Sequence, residues 1–242
     1  MITNLLYLND FSILYCEASI TEMIKRDDKD IIVLNQTVFY PQGGGQPYDV
    51  GVIKSPTSEF SVAEVRMIDS VVNHIGKFTH GQLSKNESVK CIVNKERREL
   101  NNRLHSAGHV VDMAIQKLGL NWIPGKGHHF PSGPYVEYAG SLDNLDKENL
   151  KLDIANMCNQ LIQTALVTKV IFVDKQQLKS ICRFVPDYII DSQSVRLVYF
   201  GDTFAVPCGG THVANLLDIK NITIRKIKME RSNIRVSYDI AE

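Results

Sequence analysis

The spacing of apolar residues changes near residue 94, and this change restricts the chain to folds in which a β-rich segment precedes a helical one. Before residue 94, short runs rich in β-branched residues alternate with turns; they cover residues 31–34, 37–40, 50–53, 60–68 and 89–93. Runs of this length bounded by turn residues are typical of strands. The first segment is therefore predicted to form a small β-barrel or sandwich.

A helical period replaces the strand pattern and predicts a helix over residues 95–118. Its apolar residues recur on one stripe, consisting of Leu100, Leu104, Ala107, Val111, Ala114, Ile115 and Leu118. Gly119 follows as a C-terminal stop. A second helix is predicted over residues 146–165, with Leu150, Ile154, Met157, Leu161 and Ile162 as its apolar residues.

Strand patterns return after the second helix, over residues 167–173, 194–200, 222–227 and 234–240. Strands and helices in separate blocks indicate an α+β fold rather than a doubly wound sheet. We predict a β-barrel domain over residues 1–94 and an α+β domain over residues 95–242, with an antiparallel sheet and two main helices. With 44% hydrophobic residues, a chain of 242 residues has enough apolar material for a proper core.

Charge and cysteine content limit the environment and the partners. The 27 basic residues balance the 27 acidic ones, so any contact with RNA must come from a local patch. Five widely spaced cysteines, an odd number, argue against a secreted disulfide framework. With no signal-peptide pattern at the N-terminus and no apolar run of about 18 residues, we expect a soluble cytoplasmic protein with no membrane contact.

Two histidines on the first predicted helix form the first half of a candidate metal site. His105 and His109 are four residues apart, so their rings project from one face about one turn apart. They lie roughly 140–180° from the centre of the apolar stripe, which excludes them from that stripe's core. Two solvated histidines are the simple alternative for this pair.

The segment Pro207-Cys208-Gly209-Gly210-Thr211-His212 supplies the second half. It places a thiol and an imidazole four residues apart around two glycines that let the chain turn both toward one point. Together with the helix pair they complete a His3Cys set of the kind that holds zinc tetrahedrally, one ion per chain. His74, His80, His128 and His129 fit a ligand role less well, the last two because adjacent side chains diverge.

The type of zinc site stays open at this point. Four protein ligands are typical of a closed structural site, whereas a catalytic zinc usually keeps one position for water or substrate. A zinc protease of the HExxH type is excluded, because the position after His105 is Ser106 instead of a glutamate that acts as general base.

These motifs resemble the editing domain of alanyl-tRNA synthetase and the free-standing AlaX proteins, which are trans-editing alanyl-tRNA deacylases. The resemblance rests on the motifs at residues 105–109 and 208–212 and extends to residues 126–138, 196–202 and 233–238. The glycine-rich segment at residues 39–51 resembles the N-terminal barrel of the longer AlaX forms. Coverage is about residues 30–240, without room for the synthetase's adenylate-forming domain, so we expect editing but no aminoacylation.

The resemblance implies zinc-dependent hydrolysis of the ester that joins a mistaken serine or glycine to tRNA(Ala). It also implies a substrate-binding role for Gly43, Gly44, Gly45, Gln46, Thr37, Lys126 and Gly127. Taken alone, the glycines fit a simple β-turn, Thr37 an exposed strand residue, and the Lys126 segment a plain loop. Gly125 departs from the synthetase pattern, which has glutamine there, and this weakens the expected discrimination of serine from alanine. No catalytic residue is assigned beyond the metal ligands.

Local basic residues are the candidate RNA contacts, chiefly Arg103, Arg225, Lys226 and Lys228. A solvated charged face is the alternative reading of the same pattern. Two other functions also remain open: a non-catalytic, zinc-stabilised tRNA-binding module, and a zinc hydrolase that acts on a small ester or amide. Only the last predicts an absence of salt-dependent RNA binding.

Overall fold

A computed structural model describes residues 2–185 and 194–241. The chain divides into two compact units, Met1–Leu100 and Asn101–Glu242. Among the described residues, no helix combines the length and the apolar character needed to cross a membrane.

The first unit is built from strands: β1 (Asn4–Leu5), β2 (Tyr15–Arg26), β3 (Lys29–Leu34), β4 (Gln36–Thr37), β5 (Gly51–Lys54), β6 (Glu59–Ile68), β7 (Val71–His80) and β8 (Ser88–Val93). Six of these close into a barrel in the order β2-β3-β7-β6-β5-β8, and β1 pairs with β4 in parallel. A 3-10 turn, Leu6–Leu8, follows β1. The predicted barrel is confirmed.

Two of the longest barrel strands, β2 and β7, are absent from the prediction. Along the first half of β2 every second residue is buried, but two of these residues are Cys16 and Ala18, whose small side chains give a weak apolar signal. In β7 the buried residues include Asn73 and His74, so polar side chains interrupt the alternation. The predicted strand at residues 37–40 shortens to β4, although residues 38–40 are buried.

A buried ion pair lies inside the first unit. Arg98 and Asp49 have side-chain exposures of 1% and 0%, and their Nη2 and Oδ2 atoms are 2.5 Å apart. Arg98 also donates to the carbonyl of Val38, and the amide of Tyr40 donates to Asp49. Arg98, a basic residue in the first turn of the predicted helix, therefore has its partners inside the unit and is not available to RNA.

His74 and Thr37 form a buried polar pair in the same unit. His74 Nδ1 lies 3.0 Å from the carbonyl oxygen of Ile32, so this nitrogen donates and Nε2 accepts from the Thr37 hydroxyl at 2.8 Å. Burial lowers the pKa of His74 to about 4. The folded barrel thus holds His74 neutral.

We expect acid to destabilise the first unit through His74. The unfolded chain binds a proton near pH 6.5, whereas the folded barrel excludes it until about pH 4. Stability is therefore complete above pH 6.5 and falls as the pH drops through this window, by about 2 kcal/mol between pH 7.5 and pH 5. Hydrogen exchange of peptides from residues 1–100 measures the change, and His74→Asn should flatten it. An equally steep loss in the variant would contradict the assignment.

The second unit mixes helices and strands. Helix α1 (Lys95–Lys117) begins at the end of the first unit; it is followed by β9 (Ile123–His128), β10 (Tyr135–Ala139), α2 (Lys147–Gln163), β11 (Thr168–Asp174), α3 (Lys175–Ile181), β12 (Ser194–Phe200), β13 (Phe204–Pro207), β14 (Ile222–Glu230) and β15 (Asn233–Ile240). One antiparallel sheet has the order β14-β15-β10-β9, and another the order β11-β12-β13. The α+β class is confirmed.

Helix boundaries follow local signals. Gly119 adopts φ +71° directly after α1, and the Asp146 side chain caps α2 by accepting from two backbone amides. Most of the predicted apolar stripe is buried, but Leu118 is only half-buried just after α1, and Leu100 is 37% exposed, so the predicted place of Leu100 in the core is wrong. Arg98 and Asn101 occupy the buried positions of the first turns instead.

Candidate metal centre

Four side chains of the second unit converge at one point. His105 and His109 extend from α1, Cys208 follows the end of β13, and His212 lies in the next loop. One potential ligand atom from each residue lies within 4.8 Å of all the others. The structure thus brings together all four residues that the sequence analysis selected as metal ligands.

The spacing of this cluster fits a tetrahedral zinc ion. Zinc binds sulfur at about 2.3 Å and nitrogen at about 2.0–2.1 Å, so neighbouring ligand atoms on one ion lie about 3.3–3.6 Å apart. Cys208 Sγ lies 3.5 Å from His105 Nε2. His109 Nε2 is buried and has no hydrogen-bond partner in the part of the chain that the structure describes. A metal ion would satisfy this nitrogen, since an unpartnered buried polar atom is unfavourable.

Burial controls the protonation of the cluster. It lowers the pKa of His109 to about 4, and it lowers the pKa of His105 and His212 well below the ordinary value with help from neighbouring positive charges. The same burial raises the pKa of the Cys208 thiol. Neutral imidazoles are the form that binds zinc, and a coordinating ion deprotonates the thiol. The solvated-histidine alternative is excluded for His105, which is only 2% exposed, whereas His109 is half-buried.

Buried side chains hold the Cys208 loop in place. Arg196 of β12 donates to the carbonyl of Cys208 at 2.5 Å and to that of Gly210 at 3.1 Å. Ser106 Oγ accepts from the amide of Val213 and lies 3.4 Å from His212 Nδ1. Contacts of this kind, made around the ligands rather than by them, orient the ligands of a metal site. The ligand motifs do not include Arg196, so the sequence analysis did not predict its role.

His129, which the sequence analysis set aside, packs against the cluster. Its ring stacks on His105 with centroids 4.6 Å apart, and its Nδ1 lies 2.6 Å from the hydroxyl of Tyr238. Tyr238 in turn donates to the carbonyl of Leu104. Two glycines are the sequence feature that could have indicated this packing, because they leave room for the His129 ring. A Cβ at Gly108 or at Gly127 would lie 2.4 Å from an atom of that ring.

Replacing Gly108 by alanine should therefore loosen the site. Alanine alone would favour the helix by about 1 kcal/mol, but its Cβ would lie 2.4 Å from His129 Cε1, and His129 is fixed by its stack and its hydrogen bond. We expect a net loss of about 1–2 kcal/mol, measured by denaturant unfolding with the fluorescence of Trp122, the only tryptophan. Gly209→Ala is the control, because nothing lies within 4 Å of its Cβ. A stabilised Gly108 variant would contradict this packing.

The predicted substrate-binding residues of the first unit lie in a turn and beside it. Gly43 and Gln46 exchange backbone hydrogen bonds, and Gly44 and Gly45 adopt φ +54° and +77°. Gln46 is fully buried, whereas the glycines are exposed or half-buried. Thr37 is fully buried, and its hydroxyl also accepts from the amide of Phe39. The glycines thus form the simple turn that was the alternative for them, whereas the alternative of an exposed strand residue is wrong for Thr37. A role of these residues in substrate binding stays a prediction.

The remaining predicted site residues belong to the second unit. Gly125 and Lys126 are exposed on β9, and Gly127 makes room for His129. Of the RNA candidates, Arg103 donates to the carbonyls of Ile219 and Ala241. Arg225 pairs with Asp239, Lys228 pairs with Glu230, and Lys226 is exposed.

Two segments of the chain match families of aminoacyl-tRNA synthetases. Residues 195–236 match the family described as the threonyl and alanyl tRNA synthetase second additional domain, and this segment contains Cys208 and His212. Residues 7–97 match the family of class II (A) tRNA synthetases. The chain therefore carries segments shared with aminoacyl-tRNA synthetases.

Similarity over longer alignments is more specific. The chain is 28% identical to alanyl-tRNA editing protein AlaX-M of Methanosarcina barkeri, over 99% of this chain and 100% of that protein. It is 28% identical to AlaX-L of Pyrococcus horikoshii over 94% of this chain, and 30% identical to the alanine–tRNA ligase of Clostridioides difficile over 86% of it. It spans 55% of AlaX-L and 25% of the ligase. The resemblance to AlaX-type proteins is thus confirmed.

Proposed function

We propose that the protein is a zinc-dependent aminoacyl-tRNA deacylase that acts in trans on tRNA(Ala) carrying serine and, as a second substrate, glycine. The observation that carries the proposal is the convergence of His105, His109, Cys208 and His212 in one cluster, of which His105 and His212 are buried and the other two half-buried. Cys208 and His212 belong to the segment that matches the synthetase family. The similarity of the chain to AlaX-L and AlaX-M, which are alanyl-tRNA editing proteins, supports alanyl-tRNA editing as the reaction. One zinc ion per chain would be held by the four side chains.

Bound zinc would supply a positive charge that orients and polarises the substrate or a water molecule. The protein's own contribution is a prearranged site, which suffices for an ester that is already activated. Arg196 holds the Cys208 loop, and the amide of Gly210 points to Cys208 Sγ at 3.4 Å and stabilises a thiolate. Gly209 is exposed, with nothing within 4 Å of its Cβ position, so a substrate can approach the loop closely.

Substrate positioning completes the proposal. Gly43, Gly44, Gly45 and Gln46 would contact the aminoacyl end through backbone amides and the Gln46 amide. Thr37, whose buried hydroxyl already binds His74 and the amide of Phe39, would support this segment from within the first unit. The Lys126 side chain and the backbone of Gly127 would contact the end of the tRNA near its terminal adenosine. Arg103, Arg225, Lys226 and Lys228 would contact phosphates elsewhere on the tRNA.

Single-turnover deacylation tests the proposal directly. Zinc-loaded protein is expected to release serine from Ser-tRNA(Ala) at least about tenfold faster than alanine from Ala-tRNA(Ala), equivalent to about 1.4 kcal/mol of differential transition-state binding. Gly-tRNA(Ala) is measured in parallel, and a chelator-treated sample is the control. Absence of serine release by folded, zinc-loaded protein would refute the proposal.

A second function is favoured by the ligand count. Four protein ligands are typical of a closed structural zinc site, which suits a non-catalytic tRNA-binding module. Such a module binds zinc and tRNA(Ala) but leaves the amino acid attached. The deacylation experiment therefore separates the two functions by turnover alone.

A further inference from the structure

The β14-β15-β10-β9 sheet has a second, partly exposed face. Val136, Tyr138, Ile234, Val236 and Tyr238 are buried on its inner side. Since alternate strand residues point to opposite faces, Tyr135, Glu137 and Arg235 lie on the outer side together with His128, which is paired with Tyr135. None of these outer residues belongs to the metal cluster.

Four planar side chains stack in sequence along this outer face. The guanidinium carbon of Arg235 lies 4.0 Å from the ring centroid of Tyr135. Tyr135 stacks on His128 with centroids 5.0 Å apart, and His128 stacks on Phe130 at 4.5 Å with an interplanar angle of 12°. We refer to Arg235, Tyr135, His128 and Phe130 as the stacking platform.

The platform is fixed at its basic end. Arg235 Nη2 lies 2.8 Å from Glu137 Oε1, and its Nη1 lies 3.0 Å from Glu230 Oε1. These two ion pairs hold the guanidinium group against the Tyr135 ring. At the other end, Phe130 lies beyond the last residue of β9 and is only half-buried. Cross-strand pairing explains the His128–Tyr135 contact, but not the continuation of the stack to Phe130.

Free positive charge flanks the stack. Lys126 lies two residues before His128 on β9, and Lys226 pairs with Ser237, which in turn pairs with Tyr135. Both lysines are exposed and form no ion pair among residues 2–185 and 194–241. Flat aromatic side chains beside unpaired cations are the features that bind single-stranded nucleic acid, because each base has a face that stacks and each linkage carries a negative charge.

We infer that this face binds an unpaired RNA segment, with a base stacked on the Phe130 end of the platform and phosphates near Lys126 and Lys226. The identity of this segment rests on the proposed function: it is the single-stranded 3′ end of tRNA(Ala). His128 and His129 are consecutive residues that point to opposite faces. His128 belongs to the platform and His129 packs on His105 of the metal cluster, so the platform lies next to that cluster along the chain. RNA bound on the platform would therefore lie at the β9 edge of the sheet, next to His129.

Binding of uncharged acceptor-stem hairpins of tRNA(Ala), with and without the 3′ overhang, tests the inference by fluorescence anisotropy. Phe130→Leu and Tyr135→Leu remove planar rings but keep apolar bulk, and they should weaken binding of the overhang hairpin by roughly 5- to 150-fold. Both variants should bind the blunt hairpin as the wild type does. Phe172→Leu, at an aromatic side chain of β11 that is 47% exposed, is the control and should change neither affinity.

Salt dependence gives a second measurement. Lys126→Gln and Lys226→Gln should each reduce the slope of log affinity against log salt by about 0.7 for one lost single-strand phosphate contact. Unchanged affinity of the folded Phe130 variant for the overhang hairpin would overturn the inference, as would equal losses for both hairpins or no binding by the wild type.

The test also separates this inference from the proposed function, because the hairpins are uncharged. Platform-dependent binding without serine release would refute the hydrolase and leave the platform. Serine release that the Phe130 and Tyr135 variants retain at wild-type substrate affinity would refute the platform and leave the hydrolase.

Discussion

Cys208→Ala is expected to weaken zinc retention by at least about 100-fold and to reduce serine release from Ser-tRNA(Ala) correspondingly. Even partners outside the coordination shell contribute about 10- to 100-fold to metal affinity, and Cys208 is the only thiol in the cluster. Its loss leaves three imidazoles whose pKa values are already lowered by burial. Zinc content after dialysis against a weak chelator and single-turnover deacylation are the two measurements.

Cys182→Ala is the matched control. Cys182 is also buried in the second unit, but it packs with Leu178, Leu197 and Ala205 rather than with the histidines. It should lose stability without losing zinc. Full zinc retention by Cys208→Ala, or the same zinc loss in both variants, would show that the four-residue cluster is not the metal site.

Asp49→Asn is expected to destabilise the first unit by about 3–5 kcal/mol, because it leaves the buried Arg98 guanidinium without a counter-charge. Both partners are almost fully enclosed, and Arg98 Nε and Nη2 both donate to the Asp49 carboxylate. A domain has only about 5–15 kcal/mol of total stability. The change is therefore large enough to unfold the barrel in a fraction of the molecules.

Hydrogen exchange of peptides from residues 1–100 locates this loss, and Glu99→Gln provides the comparison. Glu99 pairs with Lys95 on the same helix, but both side chains are more than half exposed. Exposed pairs contribute about 0–1 kcal/mol, so this variant should remain close to wild type. A loss below 1 kcal/mol for Asp49→Asn would mean that Arg98 relaxes toward water.

Local patterns were sufficient for the two longer helices, although not for α3, and for the four candidate metal ligands. The helical period and Gly119 placed the ends of α1 within one residue, and the two motifs with four-residue spacing selected all members of the cluster. A helix brings residues four apart to one face by its own geometry, and a Gly-Gly turn does the same for Cys208 and His212. Such features depend on neighbours along the chain, so a single sequence displays them.

By itself, the sequence determined the α+β class, the barrel, the four residues of the candidate metal cluster and the resemblance to alanyl-tRNA editing proteins. Only the tertiary structure decided that Arg98 is enclosed with Asp49, that His129 packs on His105, that Arg196 holds the Cys208 loop and that His128 joins a surface stack. The first three contacts join residues 12 to 49 positions apart. The stack joins His128 of β9 to Tyr135 of β10. Whether a polar side chain is buried depends on which distant groups satisfy its charge and hydrogen bonds, and that partner is selected by packing rather than by the local pattern.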